Sequence, residues 1–169
     1  MLGPEKAKKE TDRCAERGTA VHLMAERYLN NEEDPLRDQP HEYVKLFNQL
    51  KYGLKRINNI RIQEIPLYSD EFMVAGRVDC IAEFDKVLSV IDFKTSNNNK
   101  NEEMIEDYFL QETFYALAYY ELYGEPVEQI VTVMTVERGA VPLVFKKPIT
   151  PYIVPLKRRI EEFYEKHVN

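Results

Sequence analysis

Hydrophobic residues in the first third of the chain recur with helical spacing. Val21, Met24, Ala25 and Tyr28 follow an i, i+3, i+4, i+7 pattern within a helix-forming stretch from about Glu5 to Leu29. This spacing predicts a first helix. A second helix is predicted over residues 42–57, where one side carries Val44, Phe47, Leu50 and Leu54.

The hydrophobic period changes from helical to alternating near residue 60. Residues 60–69, 72–84 and 87–95 have the length and composition of strands, and Asp85-Lys86 forms a two-residue turn between the second and third. The third strand is apolar on both faces before Asp92, which predicts a place in the centre of the sheet.

The second half of the chain predicts a helix, a hairpin and a final helix. The first of these helices covers residues 102–123 and is closed by Gly124. Strands over 129–137 and 141–149 form the hairpin. The last helix follows it, and we expect Pro155 to delay or bend its start.

These elements predict one α/β domain over residues 1–169. Their order is α-α-β-β-β-α-β-β-α, which indicates a mixed central sheet flanked by helices. Hydrophobic residues make up 44% of the chain and charged residues 31%, as in ordinary globular proteins. No apolar run approaches the roughly 18 residues that span a bilayer, and the N-terminus lacks the apolar centre of a signal peptide. We therefore expect an intracellular protein without a membrane partner.

Charge and cysteine content narrow the possible functions. A net charge of −6 argues against non-specific nucleic-acid binding, although a local basic groove stays possible. Cys14 and Cys80 are far apart and form no CxxC pattern, as expected of isolated thiols in a reducing compartment. Two cysteines are too few for an iron–sulfur cluster, which needs four ligands, so none is expected.

The residues with possible catalytic chemistry are concentrated where the second and third strands form a hairpin. If Phe84 faces Val87 across the turn, counting back sets Asp79 opposite Asp92, with Cβ atoms about 5 Å apart on one face. Lys94 shares that face. Two carboxylates and a lysine suit a hard divalent cation such as Mg²⁺ or Mn²⁺, and phosphodiester hydrolysis uses such a site. From these residues alone, a plain structural interpretation is favoured, in which the side chains are solvated at the strand end or Lys94 itself balances the carboxylates.

Four sequence blocks in order resemble the PD-(D/E)XK nuclease superfamily, and within it the RecB-like exonuclease branch. The blocks are "RGTAVH", "GRVD", "IDFKTS" and "QETFYALAY", and together they cover most of the chain. The "GRVDCIAEFDKVLSVIDFKTS" segment is most similar to the group of mitochondrial genome maintenance exonucleases and their phage relatives. The resemblance implies a restriction-endonuclease-like core.

The resemblance also implies roles for individual residues. Metal ligands would be Asp79, Asp92, the backbone carbonyl of Phe93 and, from the first helix, His22; Lys94 would be the catalytic lysine. Gln111 and Tyr115, one helical turn apart, would orient the site and the DNA backbone. Glu64 is a weaker candidate for a second metal or for holding Lys94, and Gly18 and Thr19 share the His22 block.

Several of these residues also have plain structural interpretations. His22 and Tyr115 could serve helix packing, Gly18 could allow a helix to approach the sheet, and Glu64 could be an exposed strand residue. Relatives in the branch carry an N-terminal segment before the "RGT" helix, so this chain is expected to be trimmed or to lack that segment's substrate contacts. No P-loop is present, so any helicase or recombination motor would be a separate partner.

Contacts to DNA are expected from lysines, arginines and an asparagine-rich loop. Residues 97–101 follow the D-x-K strand and include Lys100. Tyr108 and Phe109 could stack on the bases of a single strand, although core packing is favoured for Phe109. Residues 157–159 either contact DNA or form an exposed helix face. Other basic candidates are Lys51, Lys55, Arg56, Arg61, Lys146 and Lys147.

The sequence therefore predicts a metal-dependent DNA exonuclease that acts on single-stranded ends. Three alternatives remain open at this point. The same fold could act as a structure-specific endonuclease, or as a catalytically silent nucleic-acid-binding subunit. The chain could also be an acidic interaction domain, which would show neither metal dependence nor DNA binding.

Overall fold

The helices and strands follow the predicted order throughout residues 3–168, the part of the chain that the computed structural model describes. A short 3₁₀ turn over Glu103–Ile105 precedes the third helix. The elements are α1 Pro4–Leu29, α2 His41–Leu54, β1 Ile57–Ser69, β2 Val74–Phe84, β3 Val87–Ser96, α3 Glu106–Tyr123, β4 Gln129–Val136, β5 Leu143–Pro148 and α4 Thr150–His167.

The five strands form one mixed sheet whose spatial order is the same as their order in the chain. Both β1 and β3 pair antiparallel with β2. The neighbours β3 and β4 are joined through α3, the connection that parallel strands require. β3 therefore lies in the centre of the sheet, as its apolar composition predicts, and Val90 and Ile91 are fully buried there.

The turn between β2 and β3 has the predicted two residues. Asp85 and Lys86 adopt positive φ angles of 51° and 70°, which match the right-handed twist of the strands they join. Phe84 pairs with Val87 across this turn, as expected. Arg56 donates from Nε to Asp85 Oδ1 over 2.9 Å and so fixes the turn to the start of β1.

The chain divides into two compact units. The first comprises residues 1–55, 93–99 and 133–143, in which α1 and α2 pack through side chains such as Met24 and Phe47. The second comprises residues 56–92, 100–132 and 144–169, with β1, β2, α3 and α4. Its core contains Phe84, Ile91, Phe109 and Ile130. The boundary between the units falls within β3 and within β4.

Two helix boundaries differ from the sequence expectations. The helix α2 ends at Leu54 because Ile57 pairs with Phe84 and so begins β1. The helix α4 begins at Thr150 rather than after Pro155, and Pro151 lies in its first turn, where a proline leaves no helical hydrogen bond unmade. None of the helices within residues 3–168 has the length and apolar composition needed to cross a membrane.

We predict that Gly124→Ala lowers the free energy of unfolding by about 1–2 kcal/mol. Gly124 ends α3 with φ 72°, a left-handed conformation that is costly for a residue with a Cβ atom. Urea denaturation measures the change. Gly3→Ala is the matched control, since neither glycine has an atom within 4 Å of an added Cβ but Gly3 has φ −64°. Equal destabilisation by both substitutions would contradict the explanation.

Candidate active site

The two predicted carboxylates lie where the β2–β3 ladder ends. Pairing runs from the turn to Cys80 and Ile91, and the next pair in this register would be Asp79 and Asp92. On its other side β2 stays paired with β1 as far as Val74. Asp79 and Asp92 are only 8% and 4% exposed, so both carboxylates are largely removed from water. Carboxylates buried to this extent call for a compensating positive charge.

Glu64 is a further carboxylate of the second unit, and it lies on β1, the strand next to the one that carries Asp79. A carboxylate oxygen of Glu64 lies within 4.8 Å of one of Asp79. Glu64 has φ 52°, an unusual value for a non-glycine residue in a strand and one associated with functional sites. Arg77 donates from Nε to Glu64 Oε2 over 2.9 Å. Glu64 is thus half-buried beside Asp79, and the interpretation as an ordinary exposed strand residue does not apply.

The thiol of Cys80 has a raised pKa in this acidic region. Burial raises the pKa of its thiol to about 12, and the negative charges of Asp79 and Glu64 contribute in the same direction. Cys80 is 0% exposed. A thiol in this environment stays protonated, so Cys80 is a packing residue rather than a nucleophile.

In the first unit, His22 contacts the strand that carries the D-x-K block. Its Nε2 donates to the backbone carbonyl of Phe93 over 2.5 Å, and the two rings meet edge-on with centroids 6.2 Å apart. Val21, Met24 and Ala25, beside His22 on α1, are buried. Their packing fixes the orientation of this helix and therefore the direction of the His22 side chain. Lys94 follows Phe93 and is half-buried. The histidine thus reaches the carbonyl oxygen that the sequence analysis named as a ligand.

Arg17 is a buried residue that sequence reasoning missed. Its Nε donates to Thr95 Oγ1 over 3.2 Å and its Nη1 to Asn97 Oδ1 over 2.5 Å. Nη1 also lies 3.1 Å from Glu137 Oε2, and the Arg17 side chain is only 3% exposed. Together with His22, this arginine fastens the end of β3 to α1. The signal was present in the sequence, because Arg17 opens the "RGTAVH" block.

Arg13 extends this network toward the surface. It donates to Glu10 and to Glu137, with Nη2–Oε1 and Nη1–Oε1 distances of 2.7 and 2.5 Å. The hydrogen bond from Arg13 lowers the pKa of Glu137, and it lowers that of Glu10 to about 2. Both glutamates are therefore ionised at neutral pH and balance the two arginines.

The other residues of the first block have less specific positions. Thr19 is exposed on α1, one turn before His22. An added Cβ at Gly18 would lie 3.9 Å from Thr95 Oγ1, which is ordinary van der Waals contact. Alanine would therefore fit at Gly18, and close packing does not explain this glycine.

Gln111 and Tyr115 meet each other on α3 in the second unit. Gln111 Nε2 donates to Tyr115 Oη over 3.3 Å. The tyrosine ring lies against Gly76, where an added Cβ would be 2.9 Å from both Cε1 and Oη. Only glycine leaves room for the ring at this point of β2, which gives the first residue of the "GRVD" block a structural reason. Tyr115 is 4% exposed and its neighbour Gln111 is exposed.

Many of the predicted DNA contacts are engaged in ion pairs. Phe109 is 1% exposed and belongs to the core, which confirms the favoured interpretation of this residue, whereas Tyr108 is half-buried. Lys100 is also half-buried. Six of the basic candidates have acidic partners: Arg56 and Lys146 with Asp85, Arg61 with Glu125, Lys147 with Glu102, Lys157 with Glu71 and Arg159 with Asp107.

A profile of the PD-(D/E)XK nuclease superfamily matches residues 2–150, which include His22, Glu64, Asp79, Asp92 and Lys94. The chain belongs to this superfamily. Its sheet and flanking helices match the restriction-endonuclease-like fold. This PD-(D/E)XK chain also resembles a solved structure of a candidate exonuclease from Eubacterium rectale, with TM-score 0.59 and 10% identity over 89% of this chain and 65% of the other.

Two vertebrate proteins are similar to this nuclease in sequence. Mitochondrial genome maintenance exonuclease 1 of Homo sapiens is 28% identical over 115 residues, which are 67% of this chain and 31% of the human protein. The Xenopus tropicalis protein of the same name is 26% identical over 99 residues, covering 59% of this chain and 28% of that protein. The chain spans about a third of the length of these relatives.

We predict that Arg17→Met lowers the free energy of unfolding of this nuclease by about 2–3 kcal/mol. The substitution leaves Thr95, Asn97 and Glu137 without the buried guanidinium that now contacts all three. Chemical denaturation at pH 7 measures the loss.

The matched control for this prediction is Arg13→Met. Arg13 also pairs with Glu137, but its side chain is 36% exposed, so we expect a cost below about 1 kcal/mol. Arg17→Met with a stability within error of Arg13→Met would show that burial of Arg17 is not what fastens the end of β3.

Proposed function

We propose that this PD-(D/E)XK nuclease is a metal-dependent DNA exonuclease that hydrolyses phosphodiester bonds from single-stranded ends. The observation that supports it most strongly is the pair of buried carboxylates, Asp79 and Asp92, at the end of the β2–β3 ladder. Lys94 follows two residues after Asp92 on the same strand, which completes the D-x-K arrangement. Both vertebrate relatives are named as exonucleases, which agrees with this choice of reaction.

The proposed metal ligands are Asp79, Asp92, the carbonyl oxygen of Phe93 and His22. Three of the four are oxygen ligands, and two are anionic, which suits Mg²⁺ or Mn²⁺ better than a thiophilic metal. Phe93 is the residue directly after Asp92. The hydrogen bond from His22 Nε2 to its carbonyl oxygen joins two proposed ligands, and Nε2 would give up this proton to bind an ion. Glu64, beside Asp79, is proposed to bind a second ion or to assist the first through water.

Each remaining residue has a proposed part in the hydrolysis. A bound ion would contact the phosphate oxygens and lower the pKa of the attacking water. The ammonium of Lys94 would stabilise the negative charge that develops on the phosphate. Gln111 and Tyr115 would orient the DNA backbone, and Lys100 and Thr19 would supply further contacts to it. A helicase or recombination protein would be a separate partner.

We expect Lys94→Ala to slow metal-dependent digestion of linear single-stranded DNA by about 100-fold or more. Removal of the ammonium takes away the charge that stabilises the transition state without removing a metal ligand. End-labelled linear and circular single strands are incubated with Mg²⁺, Mn²⁺ or EDTA, and the products are separated on a denaturing gel.

Lys45→Ala is the control for this assay, because Lys45 is an exposed lysine on α2 outside the proposed site. An exonuclease digests the linear strand and leaves the circle intact. Cleavage of the circle would instead establish an endonuclease. If the folded protein digests neither substrate, or if Lys94→Ala digests as fast as wild type, the proposal is wrong.

We further expect Asp92→Asn and His22→Gln each to weaken Mn²⁺ binding by more than about tenfold. Each substitution removes one proposed ligand atom while keeping a side chain of similar size. The loss of free Mn²⁺ signal in electron paramagnetic resonance titrations reports binding without reference to activity. His41→Gln, an exposed histidine at the start of α2, should bind Mn²⁺ as wild type does. Unchanged affinity in His22→Gln would leave His22 with only its hydrogen bond to Phe93.

A further inference from the structure

A groove of about 510 Å³ lies between α3 and α4, beside the beginning of β2. Its floor is apolar, because Leu110, Phe114 and Leu156 line it and are each 5–6% exposed. The volume falls in the range of about 300–1,000 Å³ that small-molecule sites occupy. The groove belongs wholly to the second compact unit.

Polar and aromatic groups line the rim of this groove in an arrangement suited to a nucleotide. Tyr108 is half-buried at one side, and Gln111 is exposed near it. Arg159 pairs with Asp107 across 3.1 Å, but both side chains are more than 60% exposed, at 62% and 76%. An ion pair so exposed is worth little, so a phosphate can compete with Asp107 for the guanidinium.

The groove is connected to the carboxylates through β2. The wall of the groove includes Val74, Ala75 and Gly76. Asp79 lies three residues after Gly76, which is about 10 Å along the strand. Gly76 and Asp79 point to opposite faces of β2. The described β2–β3 ladder ends at Cys80, whereas the pairing with β1 continues to Val74, so β2 has no described pair with β3 between Val74 and Asp79. A flexible strand that reached both the groove and Asp79 would pass around this part of β2 from one face to the other.

We infer that the α3/α4 groove is a subsite for one unpaired nucleobase of the substrate strand. The inference rests on the proposed function and makes its substrate class specific. A base packs its faces against Tyr108 and the apolar floor, Gln111 meets its polar edge, and Arg159 contacts a neighbouring phosphate. A base within a duplex is stacked and paired and cannot enter. The groove thus selects an unpaired end without reading its sequence.

The test compares strands that differ only in their bases. Fluorescence anisotropy in EDTA measures binding of a labelled oligo(dT), of an abasic oligomer of equal length, and of a blunt duplex. Wild type should bind oligo(dT) about 5- to 150-fold more tightly than the abasic strand, the range that one stacked base contributes. The duplex should bind as weakly as the abasic strand.

Two variants remove the subsite in different ways. Tyr108→Ala takes away the aromatic face, and Ile160→Trp fills the groove from α4; both should abolish the preference for oligo(dT) over the abasic strand. Tyr108→Phe should keep it, since the ring remains. Tyr123→Ala is the control, an exposed tyrosine on α3 that is 54% exposed and does not line the groove. Thermal denaturation verifies that each variant is folded.

The outcomes separate this inference from the proposed function. Equal wild-type affinity for oligo(dT) and the abasic strand would overturn the subsite, as would a preference that survives in both Tyr108→Ala and Ile160→Trp. Lys94→Ala, tested alongside, should lose digestion but keep the preference for bases. If digestion depends on Lys94 but wild type binds oligo(dT) and the abasic strand equally, the proposed nuclease activity is supported and only the base subsite is overturned.

Discussion

The structure depends on the burial of two carboxylates at the point where two paired strands part. Asp79 and Asp92 lie next to Cys80 and Ile91, the last described pair of the β2–β3 ladder, and both side chains are largely buried. Burial of two like charges at one end of a hairpin is unfavourable unless a cation balances them. The pairs from Phe84 and Val87 to Cys80 and Ile91 hold the hairpin in register up to this point, so the core of the sheet fixes the positions of the two carboxylates.

The end of β3 needs separate support, because its ladder with β2 has ended there. In the first unit α1 supplies this support through His22, which donates to the Phe93 carbonyl, and through Arg17, which contacts Thr95 and Asn97. These contacts bracket Lys94 on both sides. A lysine side chain has many rotamers, so a fixed backbone on either side of it narrows the positions that its ammonium can reach.

Sequence patterns predicted the elements well where local chemistry decided them. The two-residue turn at Asp85-Lys86, the end of α3 at Gly124 and the central place of β3 follow from turn residues and apolar runs. Errors occurred where distant contacts decided. Ile57 belongs to β1 and not to α2, because it pairs with Phe84. Glu64 has a backbone conformation that no local rule indicated.

The sequence by itself determined the superfamily, through the resemblance of its four blocks, and it determined the order of helices and strands, because strand alternation and short turns act over a few residues. Only the tertiary structure showed that Arg17 is buried among Thr95, Asn97 and Glu137, and that six predicted DNA contacts are engaged by carboxylates. The α3/α4 groove also exists only in the tertiary structure, which brings together residues of β2, α3 and α4. Ion pairs and grooves join residues far apart in the chain, and their energies depend on distances and burial that no local pattern records.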